Sequence, residues 1–517
     1  MKQLYLLPLL FSLYVNAQSF EWIITPETSV DVNPDMIGYA TAGDADGNIY
    51  FAGFKDTPYP YNDIKGNLFY NKYNSAGQLL FSNTFTGKGS VYKIVADNSG
   101  NSYVALNYLN SFTVSGTTFT SSSQGEQWVL LKLNSQGSLI WYRELDTDVP
   151  EWNEIADFRA MALDAMGNLY IGYDTYLNSY IIKLSPAGVE MLTIEQENVN
   201  RITSVSVDTD GNIIAAGSCA NQDATYAGVS VGNSLLYNTY IVKYSPMGQY
   251  QWVKYVEDIT CPQTQVVTHN ANEIYFSSHL FGDYQFDGIT AEGPLQGFSD
   301  FFIAKLDASG NFQWVKEVPG QGMVIPGNRN FLSIDSSGNI YFTGQTAGTI
   351  QWGNNITTGS QNFNYRGIVL KYNPSGNIVM AKTIMGSSYS QFGSIHVNPD
   401  NSIYTTGIGM GTLTFDAIQH VPQNANYYPF LTKISGNSTL GTEKEGAGKL
   451  TVYPNPATNA LYVNSEKEIE ATIYNTLGQK LKTVMISRES PVFIEDLAQG
   501  SYFVQFANNY TAKIIKQ

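Results

Sequence analysis

The sequence predicts an all-β fold: a seven-bladed β-propeller closed by an N-terminal strand, then a small immunoglobulin-like β-sandwich. Three observations lead there. A turn-and-strand motif recurs seven times, a second motif recurs seven times in alternation with it, and both stop before residue 450, where the pattern changes.

The first motif is clearest at Asp335-Ser336-Ser337-Gly338-Asn339-Ile340-Tyr341-Phe342. Asp accepts hydrogen bonds from the N–H groups ahead of it, and glycine supplies the positive φ that closes the turn. The β-branched and aromatic residues that follow favour a half-buried pleated surface. The other copies begin at Asp44, Asp97, Asp164, Asp208, Asn270 and Asn398, the one at Asn270 being worn. The second motif is an apolar run, a lysine, an apolar residue, a short turn with glycine, and often tryptophan. It centres on Lys72, Lys132, Lys183, Lys243, Lys305, Lys371 and Lys433. Trp141, Trp252 and Trp314 share one place in it, which Phe81 takes in the first copy. The lysines are regular and flanked by apolar residues, so they read as structural positions.

Each repeat holds about four strands, in the fourth at 202–208, 212–218, 239–244 and 249–256. Four-stranded units at a period of roughly 40–65 residues suit a propeller, in which each blade covers its neighbour's sheet face. After Lys433 the expected tryptophan strand is missing, while Phe20-Glu21-Trp22-Ile23-Ile24 resembles Phe312-Gln313-Trp314-Val315-Lys316. The N-terminal strand is therefore expected to complete the seventh blade.

Residues 1–17 read as a signal peptide: Lys2, an apolar run from Leu4 to Tyr14, and Val15-Asn16-Ala17 as the cleavage site. That run is too short to span a bilayer, and no transmembrane segment is expected. The formal net charge of −16 argues against nucleic acid and anionic membrane as partners. Cys219 and Cys261 follow the second and fourth strands of the fourth repeat and end on one face. A disulfide and two inert thiols both fit that placement.

The propeller is expected over 18–436 and a polar linker over 437–449. A compact domain over 450–517 opens at Leu450-Thr451-Val452-Tyr453-Pro454-Asn455-Pro456, turns at Gly478, and steps through Gly500-Ser501-Tyr502 to a basic, apolar tail. With Tyr453, Pro454, Asn455, Pro456, Gly478, Gly500 and Tyr502 in that order, the segment resembles the type A C-terminal sorting domain of the type IX secretion system of Bacteroidetes. The resemblance implies the type IX machinery as a partner, and release from the cell or display at the outer-membrane surface of a Gram-negative bacterium. The repeats resemble the seven-bladed repeats called SBBP, a family that implies no settled activity.

Chemical motifs are sparse. Asp44–Asn48 and Asp208–Asn212 resemble the start of a calcium loop, but Lys55 and Cys219 stand where a bidentate glutamate would close it. No resident cofactor is expected, weakly bound Ca2+ being the one ion the pattern allows. Asp146 and Asp148, in the acidic loop 144–157, are its first-choice ligands. His269 and His396 fall on first strands, near the axis. No zinc-protease, nucleophile-elbow or phosphate-loop motif is present.

The short turns share one face of the ring, and the long, variable loops share the other. Variable loops on a rigid scaffold usually carry function. Tyr226, Tyr284, Trp352, Tyr365 and Tyr427 on those loops are the candidate ligand-binding residues, and small outer hairpins packing the blade edges are the alternative reading of the same aromatics. The expected function is recognition or adhesion, binding an extracellular glycan or protein through the long-loop face. A secreted polysaccharide hydrolase or lyase, and a surface-layer or motility-associated subunit, are the alternatives.

Overall fold

The computed structural model describes residues 18–26, 39–55, 66–83, 85–121, 126–145, 157–219, 222–232, 237–257, 263–294, 299–320, 322–359, 364–386, 389–422, 427–436, 452–465, 467–475, 479–506 and 511–517. The chain divides into two compact units, one spanning Ala17–Gly436 and the other containing Asn437–Gln517.

The first unit is built, among the described residues, from seven antiparallel blades of four principal strands. The fourth blade runs Ile202–Val207, Ile213–Cys219, Asn238–Tyr244 and Tyr250–Glu257, close to the boundaries read from sequence. The innermost strands of successive blades lie side by side around an axis, and Ser390–Val397 of blade seven neighbours Ala40–Gly43 of blade one. The hydrophobic core is accordingly a series of interblade layers rather than one central mass. One layer joins Trp128 and Leu130 to Phe158 and Ile171, another Ile241 and Val256 to Phe276 and Phe302.

Closure follows the sequence expectation. Phe20–Ile24 pairs antiparallel with Tyr427–Ile434, setting Trp22 opposite Lys433, and Ser435 N donates to Ser19 O at 2.8 Å.

An aromatic staple explains the recurring tryptophan. Trp141 Nε1 donates to Pro186 O of the next blade (3.2 Å), Trp252 to Ala308 O (3.0 Å) and Trp314 to Pro374 O (3.2 Å). Trp22 does the same to Ser75 O (3.2 Å), so the closing strand carries the staple from blade seven to blade one. Each indole covers a glycine in the neighbouring hairpin: Gly77, Gly188, Gly310 and Gly376. These glycines have φ near +80°, which closes the hairpin, and a Cβ on Gly310 would stand 2.8 Å from the Trp252 ring. Phe81 takes the same position over Gly137.

The second unit has a three-stranded and a four-stranded sheet enclosing Val452, Leu461, Ile473, Ile486, Val504 and Ile514. Asn455 Oδ1 accepts Ile515 N–H at 2.9 Å, which ties the entry segment to the last strand. Tyr453 stacks on Tyr462 (5.8 Å between ring centroids), and Tyr502 donates its hydroxyl to Ala498 O at 2.7 Å. The Tyr453-Pro454 and Asn455-Pro456 peptides are cis. Gly500 has φ +153°, and Gly478 lies outside the described residues.

Candidate functional site

The repeated polar residues form a structural unit. In all seven blades the motif lysine stands across the ladder from the residue after the turn: Tyr50 opposite Lys72, Tyr341 opposite Lys371, and Ile214 opposite Lys243 where the tyrosine is absent. The ammonium lies over the ring, 4.8 Å from the Tyr50 centroid and 4.9 Å from that of Tyr341, a cation–π placement. It then meets the turn aspartate: Lys72–Asp44 at 2.8 Å, Lys243–Asp208 at 3.3 Å and Lys371–Asp335 at 3.6 Å. The other carboxylate oxygen accepts the turn's own N–H groups, as Asp44 Oδ1 does from Asp46 (3.1 Å) and Asn48 (2.9 Å). Burial alone would raise the Asp335 carboxyl, but hydrogen bonds from Asn339, Tyr341 and Ser337 outweigh it and hold the group below its ordinary range. These carboxylates face N–H groups and an ammonium, an arrangement that supports a turn and repels a cation. Among the described residues no cluster of three or more His, Cys, Asp or Glu side chains is placed to hold a metal. Asp146 and Asp148 lie outside the described residues, as does Cys261; Cys219 is fully buried at the end of its strand.

The predicted aromatics separate into two groups. Tyr226 and Trp352 have 0% and 7% exposure, which corrects their assignment as ligand contacts, since neither offers a face to a ligand. The loops carrying them fold back as hairpins, Thr225–Tyr226 with Val229–Ser230 and Ile350–Gly353 with Ile356–Thr358. Tyr226 joins the outer strand of blade three, and Trp352 Nε1 is satisfied by Thr358 Oγ1 at 2.7 Å. Tyr284 stays half-buried on a third such hairpin, apart from the rest. Tyr365 and Tyr427 come together through Tyr389, a residue not singled out in the sequence. The ring centroids are 6.1 Å apart for Tyr365–Tyr389 and 5.7 Å for Tyr389–Tyr427, both edge-to-face. All three are half-buried. Tyr389 donates its hydroxyl to Gln391 Oε1 at 2.7 Å, with Gln345 Oε1 at 3.1 Å, so the middle ring is fixed.

A cleft opens at the axis, lined by Tyr92, Lys93 and Arg159 together with Asn328, Arg329 and Asn330, and floored by Thr203, Gln263 and Gln265. Five of these residues stand five positions ahead of the turn residue of their own blade: Tyr92, Arg159, Thr203, Gln265 and Asn330. Inner strands run from the long-loop face towards the turn face, so this level lies in the channel on the long-loop side. Blade six supplies the unusual part. Its inner strand is split into Met323–Pro326 and Leu332–Ile334, both paired to the same neighbour, and 327–331 bulges between them. Arg329 N–H donates to Gly393 O (2.9 Å) and Ile395 N–H to Asn330 O (2.7 Å), which fixes the bulge to blade seven. Arg329 then reaches across the ring to blade two: Nε donates to Val91 O (3.3 Å), Nη2 to Ser90 Oγ (3.3 Å), and the guanidinium lies 4.3 Å from the Tyr92 centroid. Lys93 Nζ donates to Asn330 Oδ1. Burial pulls Lys93 down to about 8 and Arg329 to about 10. Arg159 pairs with Asp157 at 2.7 Å. Across the ladder from Asp157 stands Asp174, nearly enclosed, whose carboxyl is pushed well above the usual range first by burial and then by Asp157. Pro326-Gly327-Asn328, breaking an otherwise apolar strand, is the sequence signal for this site.

Of the axial histidines, His396 is held by Asn398 Oδ1 (2.9 Å from Nε2) and burial pulls it down to about 4, while His269 lies 3.9 Å from Glu273.

Residues 451–517 match the family described as secretion system C-terminal sorting domain. The chain thus pairs a β-propeller with a sorting tail that engages the type IX secretion system and marks a secreted or cell-surface protein. No curated protein matches it in sequence. Solved structures similar to it include the Dos1 propeller, at 10% identity over 81% of this chain and 96% of that one, TM-score 0.40. Virginiamycin B lyase from Staphylococcus aureus has 11% identity over 80% and 98%, TM-score 0.41. A putative 6-phosphogluconolactonase from Bacteroides uniformis has 10% identity over 69% and 85%, TM-score 0.37. Among the described residues no helix is long and apolar enough to cross a membrane.

Proposed function

We propose that this is an exported recognition propeller that binds an extracellular glycan on its long-loop face. The observation that supports this reading is the tyrosine group Tyr365, Tyr389 and Tyr427, three half-buried rings held edge-to-face between blades six and seven. Rings fixed in place stack on a sugar at little entropic cost, because few rotamers are lost on binding. The axial cleft on the same side adds donors. The test is a glycan array probed with the full chain and with Tyr365→Ala and Tyr427→Ala. Binding to one glycan class, weakened about fivefold or more in each variant, is the expected result, from roughly 1 kcal/mol per lost ring contact. A blank array, or binding indifferent to both substitutions, overturns the reading in favour of a protein partner or a structural role.

Asp174 favours a second reading, a polysaccharide hydrolase: a buried carboxyl pushed well above its usual range, directly across the ladder from a second carboxyl, is an acid–base pair in outline. Shortened products from the bound glycan would move the assignment there.

A further inference from the structure

The axial cleft gathers positive charge in a chain whose formal net charge is −16. Lys93, Arg159 and Arg329 line it, and among the described residues the carboxylate paired with any of them is Asp157, on Arg159. Lys93 and Arg329 hold neutral oxygens: Asn330 Oδ1 for the first, and Val91 O, Ser90 Oγ and Asn328 O (2.9 Å) for the second. Arg159 Nε, a buried donor of the lining, has no hydrogen-bond partner. Half-buried cations met only by neutral oxygens lose part of their hydration without a countercharge, and an anion is what offsets that cost. The free space is about 20 Å3, enough for a group the size of a carboxylate or one to two waters and too small for a sugar ring.

We propose that the axial cleft is a binding site for the carboxylate of an acidic sugar residue, held by charge-assisted hydrogen bonds from Lys93 and the two guanidinium groups. Planar guanidinium suits a planar carboxylate, and the ammonium adds a point charge. This deepens the glycan reading by naming a uronate as the residue presented to the ring. The carboxylate site itself stands without that reading.

The titration of the site follows from its surroundings. Lys93 shares the cleft with Tyr92 on its own strand, with Arg159 from blade three, which carries Asp157 as its ion-pair partner, and with Arg329 from the blade-six bulge, the uncharged Thr203, Gln263 and Gln265 completing the lining. Its ammonium is lost as pH rises through about 8, whereas Arg329 holds its charge to about 10. Anion affinity should therefore fall between pH 7 and pH 9.

The test is calorimetric titration of the full chain at constant ionic strength with acetate, galacturonate, inorganic phosphate and neutral galactose. Acetate and galacturonate should bind, galactose should not, and phosphate should bind more weakly than acetate because it is bulkier. Lys93→Met should weaken the carboxylates about tenfold or more, the usual scale for losing a hydrogen bond to a charged group. Lys93→Arg should restore affinity at pH 7 and remove its fall at pH 9. Equal binding of galactose and galacturonate, or acetate binding unchanged in Lys93→Met, overturns the proposal. The two readings fail separately: acetate binding with a blank glycan array leaves the cleft and removes the recognition surface, and a positive array with no acetate binding does the reverse.

Discussion

Lys371 and Asp335 show what a repeated polar pair does for the ring. Their side chains are 3% and 1% exposed and the charged atoms lie 3.6 Å apart. Burial lowers the Lys371 ammonium while Asp335 pulls it back up. Removing the lysine strands a buried carboxylate, so Lys371→Met should cost about 3 kcal/mol or more in unfolding free energy. The pair Lys183–Asp164 is wetter, at 14% and 11% exposure and 3.7 Å, and Lys183→Met should cost only about 1 kcal/mol. Urea unfolding midpoints of the two variants check the contrast, and equal losses would show that enclosure does not govern these pairs. The lysines were legible in the sequence because seven copies repeat them. Lys93, Arg159 and Arg329 were not, because each stands in one blade only and repetition reveals what blades share.

At the scale of elements, the glycine beneath each staple sets how closely two blades approach. Gly310→Ala would force a side chain at φ +82° and displace Trp252, at a cost of about 2–4 kcal/mol. Gly116 has φ +80° with open space around it, so Gly116→Ala should cost about 1 kcal/mol. Thermal unfolding of the two variants separates backbone strain from interblade packing, and indistinguishable midpoints would remove the staple as a stabilising contact. The strands and short turns could be read directly because Asp, Gly and alternating apolar residues fix them locally. The long loops misled for Tyr226 and Trp352. Their hairpin signals were present, as in Phe286-Asp287-Gly288-Ile289 with Asp287 and Gly288 both at positive φ. Aromatic content there spoke equally for a binding wall and for a packed hairpin, and only burial decides between them.

Over the whole molecule, the ring depends on a strand drawn from the far end of the propeller sequence. Deleting residues 18–26 removes Trp22, its bond to Ser75 and the Phe20 contact with Phe415 (5.2 Å between centroids). The melting temperature should fall by about 5 °C or more, and an unchanged value would show that the closing strand is dispensable. Closure was readable because Trp22 stands in a copy of a motif whose other half lies after Lys433. The bulge of blade six is marked by Pro326-Gly327-Asn328, but where Arg329 reaches was not legible, since its partner is a backbone carbonyl far away in the chain. Through Arg329 on Val91, and Asn330 on Lys93, blade six holds blade two across the axis. A wheel fastened only at its rim flattens under sideways load, each joint flexing a little. A wheel with a crossbar must break the bar first. This propeller has such a bar, a strut against being squeezed oval.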